Sequence, residues 1–157
     1  MKNYRPVSNL TFLGKMIERV VLSRLNEHLT VNNLQVPNQF AYKKNHSTET
    51  LMIKIVNDVL IAADDKEATV IMLLDLSAAF DTVDHDLLLR ILEREIGLRG
   101  NVLKWFSSFL KGRSQRIRLG KVTSECITIK FGVPQGSVLG PVLFNLYIRS
   151  IYRCVQS

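Results

Sequence analysis

Three observations in the sequence predict an α+β fold. Val70 to Leu74 is an unbroken apolar run with β-branched residues and reads as a strand buried on both faces. Several longer stretches repeat apolar residues every three and four positions, the period of an amphipathic helix. Gln115 to Leu119 and Ile127 to Phe131 alternate apolar with polar and read as a hairpin around Gly120-Lys121.

The opening Asn3-Tyr-Arg-Pro-Val-Ser8 is extended, because Arg5 precedes a proline. Thr11 to Leu29 is predicted helical, with Leu13, Met16, Ile17, Val20, Val21, Leu25 and Leu29 on one face. Lys15, Glu18, Arg19 and Glu27 take the other side, so the helix reads as scaffold. Asn32-Asn33 is its stop, since asparagine tolerates the left-handed conformation. Gln39-Phe-Ala-Tyr-Lys-Lys-Asn-His-Ser-Thr48 is a basic loop. Ser47 or Thr48 caps the next helix, Thr48–Ala63, with Glu49 favourable in its first turn. Leu51, Ile55, Val56, Val59 and Leu60 form its apolar face, and Asp64-Asp65 ends it.

The central strand runs into Asp75. A carboxylate straight after a buried strand is costly unless it meets a cap, a cation or a metal. A turn or capping role is the plain reading; a metal ligand is the sharper one. Ala78 and Ala79 are small enough to let another chain or ligand come close, and Phe80 places a flat ring five residues after Asp75. Asp84 caps a helix through Leu87, Leu88, Ile91 and Leu92, which Gly97 stops. A second helix, Asn101 to Leu110, turns Val102, Leu103, Phe106 and Phe109 inward, and Trp105 reads as a core residue ahead of a ring stacked on a base. On the hairpin, Arg116 and Arg118 share one face of the first strand and Lys130 lies on the second. They form either a phosphate-contacting stripe or a solvated sheet face. Phe131-Gly-Val-Pro-Gln-Gly-Ser-Val-Leu-Gly-Pro141 is a glycine- and proline-punctuated loop opening into a last helix with Val142, Leu143, Leu146 and Tyr147.

The 157 residues suffice for one domain with a real core. Lysine and arginine outnumber aspartate and glutamate by 21 to 14, a formal net charge of +7 that suits an anionic partner such as nucleic acid. Cys126 and Cys154 stand apart, as reduced thiols of an intracellular protein do. His28, His46 and His85 are too scattered for a zinc site. No apolar run is long enough to span a membrane and the start carries no signal-peptide pattern, so no membrane is expected.

Leu74-Asp-Leu-Ser-Ala-Ala-Phe-Asp-Thr-Val-Asp-His85 and Gly132-Val-Pro-Gln-Gly-Ser-Val-Leu-Gly-Pro141 closely resemble two successive motifs of reverse transcriptases, above all those of non-LTR (LINE-type) retrotransposons near the jockey and CR1 groups. Asn3-Tyr-Arg-Pro resembles the opening of the fingers in these polymerases, with Val7 where they usually have isoleucine. Gln39 to Thr48 resembles their Gln-Phe-Gly-Phe-Arg-Lys-Gly-Arg-Ser-Thr, with Lys43 for arginine, Asn45 for glycine and His46 for arginine. Those three changes weaken the expected grip on a triphosphate, because arginine holds phosphate bidentately and lysine as a point charge. Lys111-Gly-Arg-Ser-Gln-Arg116 resembles a further family segment.

The resemblance implies a right-hand polymerase architecture: a fingers-like helical segment over residues 1–67, and over residues 68–157 a partial palm without a thumb. It implies an RNA-directed DNA polymerase working on RNA template, DNA primer and dNTP with two Mg²⁺ ions. Asp75 would be the first metal carboxylate and the carbonyl of Leu76 a further ligand. Phe80 would exclude a ribose 2′-hydroxyl, and Gln135 would border the nucleotide. Arg5, Lys43 and Lys44 would lie near nucleotide or triphosphate, and Arg116, Arg118 and Lys130 along nucleic acid. Lifestyle by resemblance implies nucleus and cytoplasm.

The family's next motif, Tyr/Phe-Ala-Asp-Asp on a palm hairpin, is absent from these residues, and the rest of palm and thumb is expected in a longer protein. Three readings follow: a polymerase fragment, an inert nucleic-acid-binding remnant, and an RNA-dependent RNA polymerase. Phe80 and the wording from Phe80 to His85 argue against the third. The 157 residues alone are expected not to extend a primer and to be poorly soluble.

Overall fold

The computed structural model describes residues 8–36, 38–76 and 78–149. Arg5, with the rest of the opening before Ser8, falls outside them. The chain divides into two compact units, Met1–Gln35 with Ala78–Ser157, and Val36–Ser77.

In the larger unit, α1 (Phe12–Val31) starts at Thr11, whose hydroxyl accepts the Gly14 N–H at 3.1 Å. It ends at Asn32, and Asn33 takes the left-handed conformation at φ +52, as the asparagine pair predicts. Its apolar stripe is only partly used. Leu25 and Leu29 are buried, whereas Leu13, Met16, Ile17 and Val20 are exposed. The expected polar face is wrong at one position: Glu18 is buried.

A 3₁₀ turn (Ala79–Asp81) leads to α3 (His85–Arg94). Asp84 caps α3 by accepting the Leu87 N–H at 2.8 Å, and Gly97 at φ +78 turns the chain away. Leu88, Ile91 and Leu92 face inward; Leu87 is exposed. In α4 (Gly100–Leu110), Phe106 and Leu110 are buried, Trp105 stacks on Phe109 at 5.5 Å, and Val102, expected inward, is exposed. The last helix, α5 (Gly140–Tyr147), carries a proline near its start. The core joins Leu25 and Leu29 of α1 to Val83, Leu88, Leu92, Ile96, Phe106, Leu110, Val133, Leu139 and Leu143. Each such leucine contributes about 1.5–3 kcal/mol through removal from water.

The predicted hairpin forms two short ladders. β1 (Ser114–Gln115) pairs antiparallel with β4 (Ile127–Thr128), and β2 (Arg118–Leu119) with β3 (Val122–Thr123). Gly120-Lys121 is the turn, with Gly120 at φ +60. Between the ladders, residues 124–126 oppose residues 116–117. That extra residue is a bulge, and it slips the register by one. The expected single stripe is therefore broken: Arg116 and Lys130 lie outside the paired residues and Arg118 belongs to the other ladder.

In the smaller unit, α2 (Thr48–Asp64) opens on a reciprocal cap. Ser47 Oγ accepts the Thr50 N–H at 3.2 Å and Thr50 Oγ1 accepts the Ser47 N–H at 2.9 Å. None of its residues is buried. The clearest correction concerns Val70–Leu74. The expected buried strand is an irregular, exposed segment, with Val70 at 89% and Leu73 at 87% exposure. A strand exists only through hydrogen bonds to a neighbour, and among the described residues no strand pairs with this run.

Candidate functional site

The two motif segments, 78–85 and 131–141, meet in the larger unit through backbone bonds. The Gly132 N–H donates to the Val83 carbonyl at 2.7 Å and the Val133 N–H to the Phe80 carbonyl at 2.8 Å. Asp84 and Phe131 form an isolated antiparallel bridge. Gly132 sits at φ +90, where a Cβ would lie 3.0 Å from both the Asp81 Cα and the Phe80 oxygen. Only glycine combines that dihedral with that approach. The buried His85 Nε2 donates to the Gly132 carbonyl at 2.8 Å, and Tyr147 Oη accepts the Asp84 N–H at 3.4 Å.

One side-chain clasp closes over this junction. Gln135 Nε2 donates to both Asp81 carboxylate oxygens, each at 3.0 Å. The Ser8 N–H donates to the Gln135 carbonyl at 2.9 Å. Phe80 is half-buried, its ring 5.0 Å from that of Phe144. Beside the clasp a cleft of about 440 Å³ is lined by Ser8, Asp81, Arg113, Lys130, Gly132 and Gln135. A neighbouring groove of about 540 Å³ shares Arg113 and adds Arg116 and Arg118. Phosphate groups fit such a cation-rich lining. Arg113 is held there by the Phe109 carbonyl at 3.1 Å and lies 5.3 Å from the centre of the Phe109 ring.

Ala78, just before the 3₁₀ turn, is held at φ +53. A left-handed alanine costs about 1–2 kcal/mol, and the bonds from Phe80 and Val83 to the 132–133 backbone hold the chain in place immediately after it.

The smaller unit holds the other predicted residues. Asp75 and Leu76 lie in its exposed irregular segment. Lys43 and Lys44 are exposed between two left-handed residues, Tyr42 at φ +60 and Asn45 at φ +62. The expected kinked loop is present, and Asn45 adopts the conformation a glycine would supply. His46 Nδ1 lies 2.9 Å from the Lys44 carbonyl and its ring packs edge-on against Phe40 at 5.0 Å.

Mg²⁺ takes hard oxygen ligands and keeps several waters or phosphates. The Asp75 carboxylate and a backbone carbonyl are donors of that kind. Among the described residues no three His, Cys, Asp or Glu side chains converge on one point, and both oxygens of Asp81 accept from Gln135. The Asp75 carboxylate has the donor chemistry such an ion takes, with waters or substrate phosphates completing the shell. Also among the described residues, no helix is long and apolar enough to cross a membrane.

Sequence reasoning missed three contributors. Arg113 sits in a segment whose resemblance was visible, but its perch on Phe109 depends on α4. His85 was set aside as a possible zinc ligand. Glu18 sits on a helix face that spacing assigns to solvent.

Comparison with known proteins matches nearly the whole chain. A family model described as reverse transcriptase (RNA-dependent DNA polymerase) matches residues 1–157. The probable RNA-directed DNA polymerase from transposon BS of Drosophila melanogaster is 35% identical over 154 residues, covering 93% of this chain and 16% of that protein. The RNA-directed DNA polymerase from mobile element jockey of the same species is 37% identical over 149 residues, covering 92% of this chain and 16% of that protein. The Pol polyprotein from type-1 retrotransposable element R2 of Popillia japonica is 27% identical over 158 residues, covering 99% of this chain and 21% of that protein. The chain thus spans about a sixth of the length of the first two. It belongs to the reverse transcriptase family, in the branch of the non-LTR retrotransposons.

Proposed function

We propose that the chain is the fingers and the first part of the palm of an RNA-directed DNA polymerase, with the division near residue 67. In the whole protein it would add dNTPs to a DNA primer on an RNA template, in nucleus and cytoplasm. The observation that carries this reading is the clasp: Gln135 on Asp81 joins the two motifs beside a cation-lined cleft.

In this reading Asp75, with the Leu76 carbonyl, holds Mg²⁺ by hard-oxygen coordination. The ions, when bound, stabilise the attacking and leaving oxygens of phosphoryl transfer. The chain's own residues select and orient. Phe80, its ring braced by Phe144, denies space to a 2′-hydroxyl. Gln135 borders the nucleotide, fixed by Asp81 below and by the Ser8 bond behind. Arg5, Lys43 and Lys44 offer charge to the triphosphate. Arg116, Arg118 and Lys130 offer charge to backbone phosphates, and Arg113 joins them in the groove.

The test is a chimera in which this chain replaces the matching stretch of the jockey polymerase. RNA-templated primer extension is expected, lost in Asp75→Ala and with relaxed dNTP preference in Phe80→Ala. A folded chimera whose extension survives Asp75→Ala overturns the assignment. The 157 residues alone should bind an RNA–DNA hybrid in a salt-sensitive way without extending it.

A further inference from the structure

We propose that Glu18 is a positioning residue: from the middle of α1 it clamps the end of the 132–139 loop and so sets where Gln135 stands. Glu18 is only 4% exposed. A carboxylate in that setting is costly unless donors surround it. Its Oε2 accepts the Val138 N–H at 2.7 Å and the Leu139 N–H at 3.1 Å, from residues 120 and 121 positions away.

The need for this acceptor follows from the start of α5. Leu139 occupies the capping position and has no side-chain oxygen. Ser137 Oγ accepts the Gly140 N–H at 2.8 Å, and Pro141 has no N–H to satisfy. The Val138 and Leu139 N–H groups stand just ahead of the first turn, and the acceptor they meet is Glu18. Glu18 supplies a cap from a distant helix, with its negative charge at the favourable end of the α5 dipole.

Gln135 lies between two fixings. In front, Gly132 and Val133 are bonded to Val83 and Phe80, in the segment that carries Asp81. Behind, Val138 and Leu139 are bonded to Glu18 on α1. The Ser137 N–H also donates to the Pro134 carbonyl at 3.0 Å, so the span between the fixings has little slack. With the rear fixing gone, the front ladder and the Ser8 bond to the Gln135 carbonyl still hold the loop, but its Val138–Leu139 end is released and can carry Gln135 relative to Asp81. The link from Gln135 to nucleotide rests on the reading above; the clamp itself does not, and its test needs no activity.

The experiment is nuclear magnetic resonance on the 157-residue chain, at low concentration. It compares Glu18→Gln, Glu18→Ala and Leu29→Ala, the last being a core change on the same helix. Two signals are followed: amide exchange at Val138 and Leu139, and the side-chain amide of Gln135. In Glu18→Ala, exchange at the two amides should rise roughly tenfold or more relative to core amides, and the Gln135 side-chain signal should move toward that of a free amide. Glu18→Gln keeps one acceptor oxygen and should restore part of both; it also serves if Glu18→Ala does not fold. Leu29→Ala should raise exchange broadly and leave the Gln135 signal in place. An unmoved Gln135 signal in the Glu18 variants would reduce Glu18 to a helix cap. An equal shift in Leu29→Ala would mean that any loosening of α1 suffices. Either result overturns the proposal.

Discussion

Val83, Leu88 and Leu143 have no solvent exposure, while Val70 and Leu73, of the same chemistry, are almost fully exposed. The difference is one of partners. Leu88 and Leu143 lie on helices, whose backbone donors and acceptors are satisfied within each helix. Such elements need only apolar contact, and α3, α4, α5 and part of α1 provide it for one another. Val70–Leu74 would be a strand, and a strand must borrow its hydrogen bonds from neighbours. Among the described residues it has no such neighbour, and so neither a ladder nor a covered face. The same apolar content therefore yields a core in one region and an aggregation hazard in the other.

The strongest way to sharpen the contrast is a matched pair of truncations. Leu88→Ala should destabilise the chain by about 3 kcal/mol, by transfer and cavity costs together. Leu73→Ala should change stability by less than about 0.5 kcal/mol and improve solubility. Urea titration followed by circular dichroism measures both. A Leu73→Ala loss as large as that of Leu88→Ala would show that the run is packed.

Gly132→Ala comes next. A Cβ there meets backbone atoms of Phe80 and Asp81, which cannot swing aside, at a φ that alanine resists. A loss of about 2–3 kcal/mol is expected from strain and overpacking. Thermal melting checks it, and a neutral result would mean that the two motif segments are not stitched at Val83 and Phe80.

Much of this was legible in the sequence because local rules decide it. Ser47 and Asp84 cap the helices that spacing assigns to them, and Asn32-Asn33 and Gly97 stop theirs, whereas Thr11, expected as the first helical residue, is the cap of its helix. The motif segments could be recognised by wording, but not their clasp, because the Gln135–Asp81 contact spans 54 positions. Glu18 was illegible for the same reason. Its partners are backbone N–H groups, which leave no mark in the residue code, and its position on the helix wheel points to solvent. The hairpin bulge was missed because alternation reports faces within each strand but not the one-residue slip between two ladders.

The smallest expected effect concerns a surface link between α3 and α4. The hydrogen bond from Lys111, and then its charge, hold the Asp86 carboxyl below the ordinary aspartate value of 3.8. A depressed carboxyl contributes stability above its unfolded value and loses it as pH falls through the folded one. The melting temperature should therefore drop slightly more steeply below about pH 4 in the parent than in Asp86→Asn, and added salt should shrink the difference. Identical pH profiles would remove this link from the packed region.

Amide hydrogen exchange along the 157-residue chain tests the central contrast most directly. Gly132, Val133 and the inward amides of α3 should exchange only through opening of the whole larger unit, because they are bonded within it. Val70 to Leu74 should exchange at nearly the rate of an unstructured peptide. Strong protection across Val70–Leu74, or rapid exchange at Gly132 and Val133, would contradict the account.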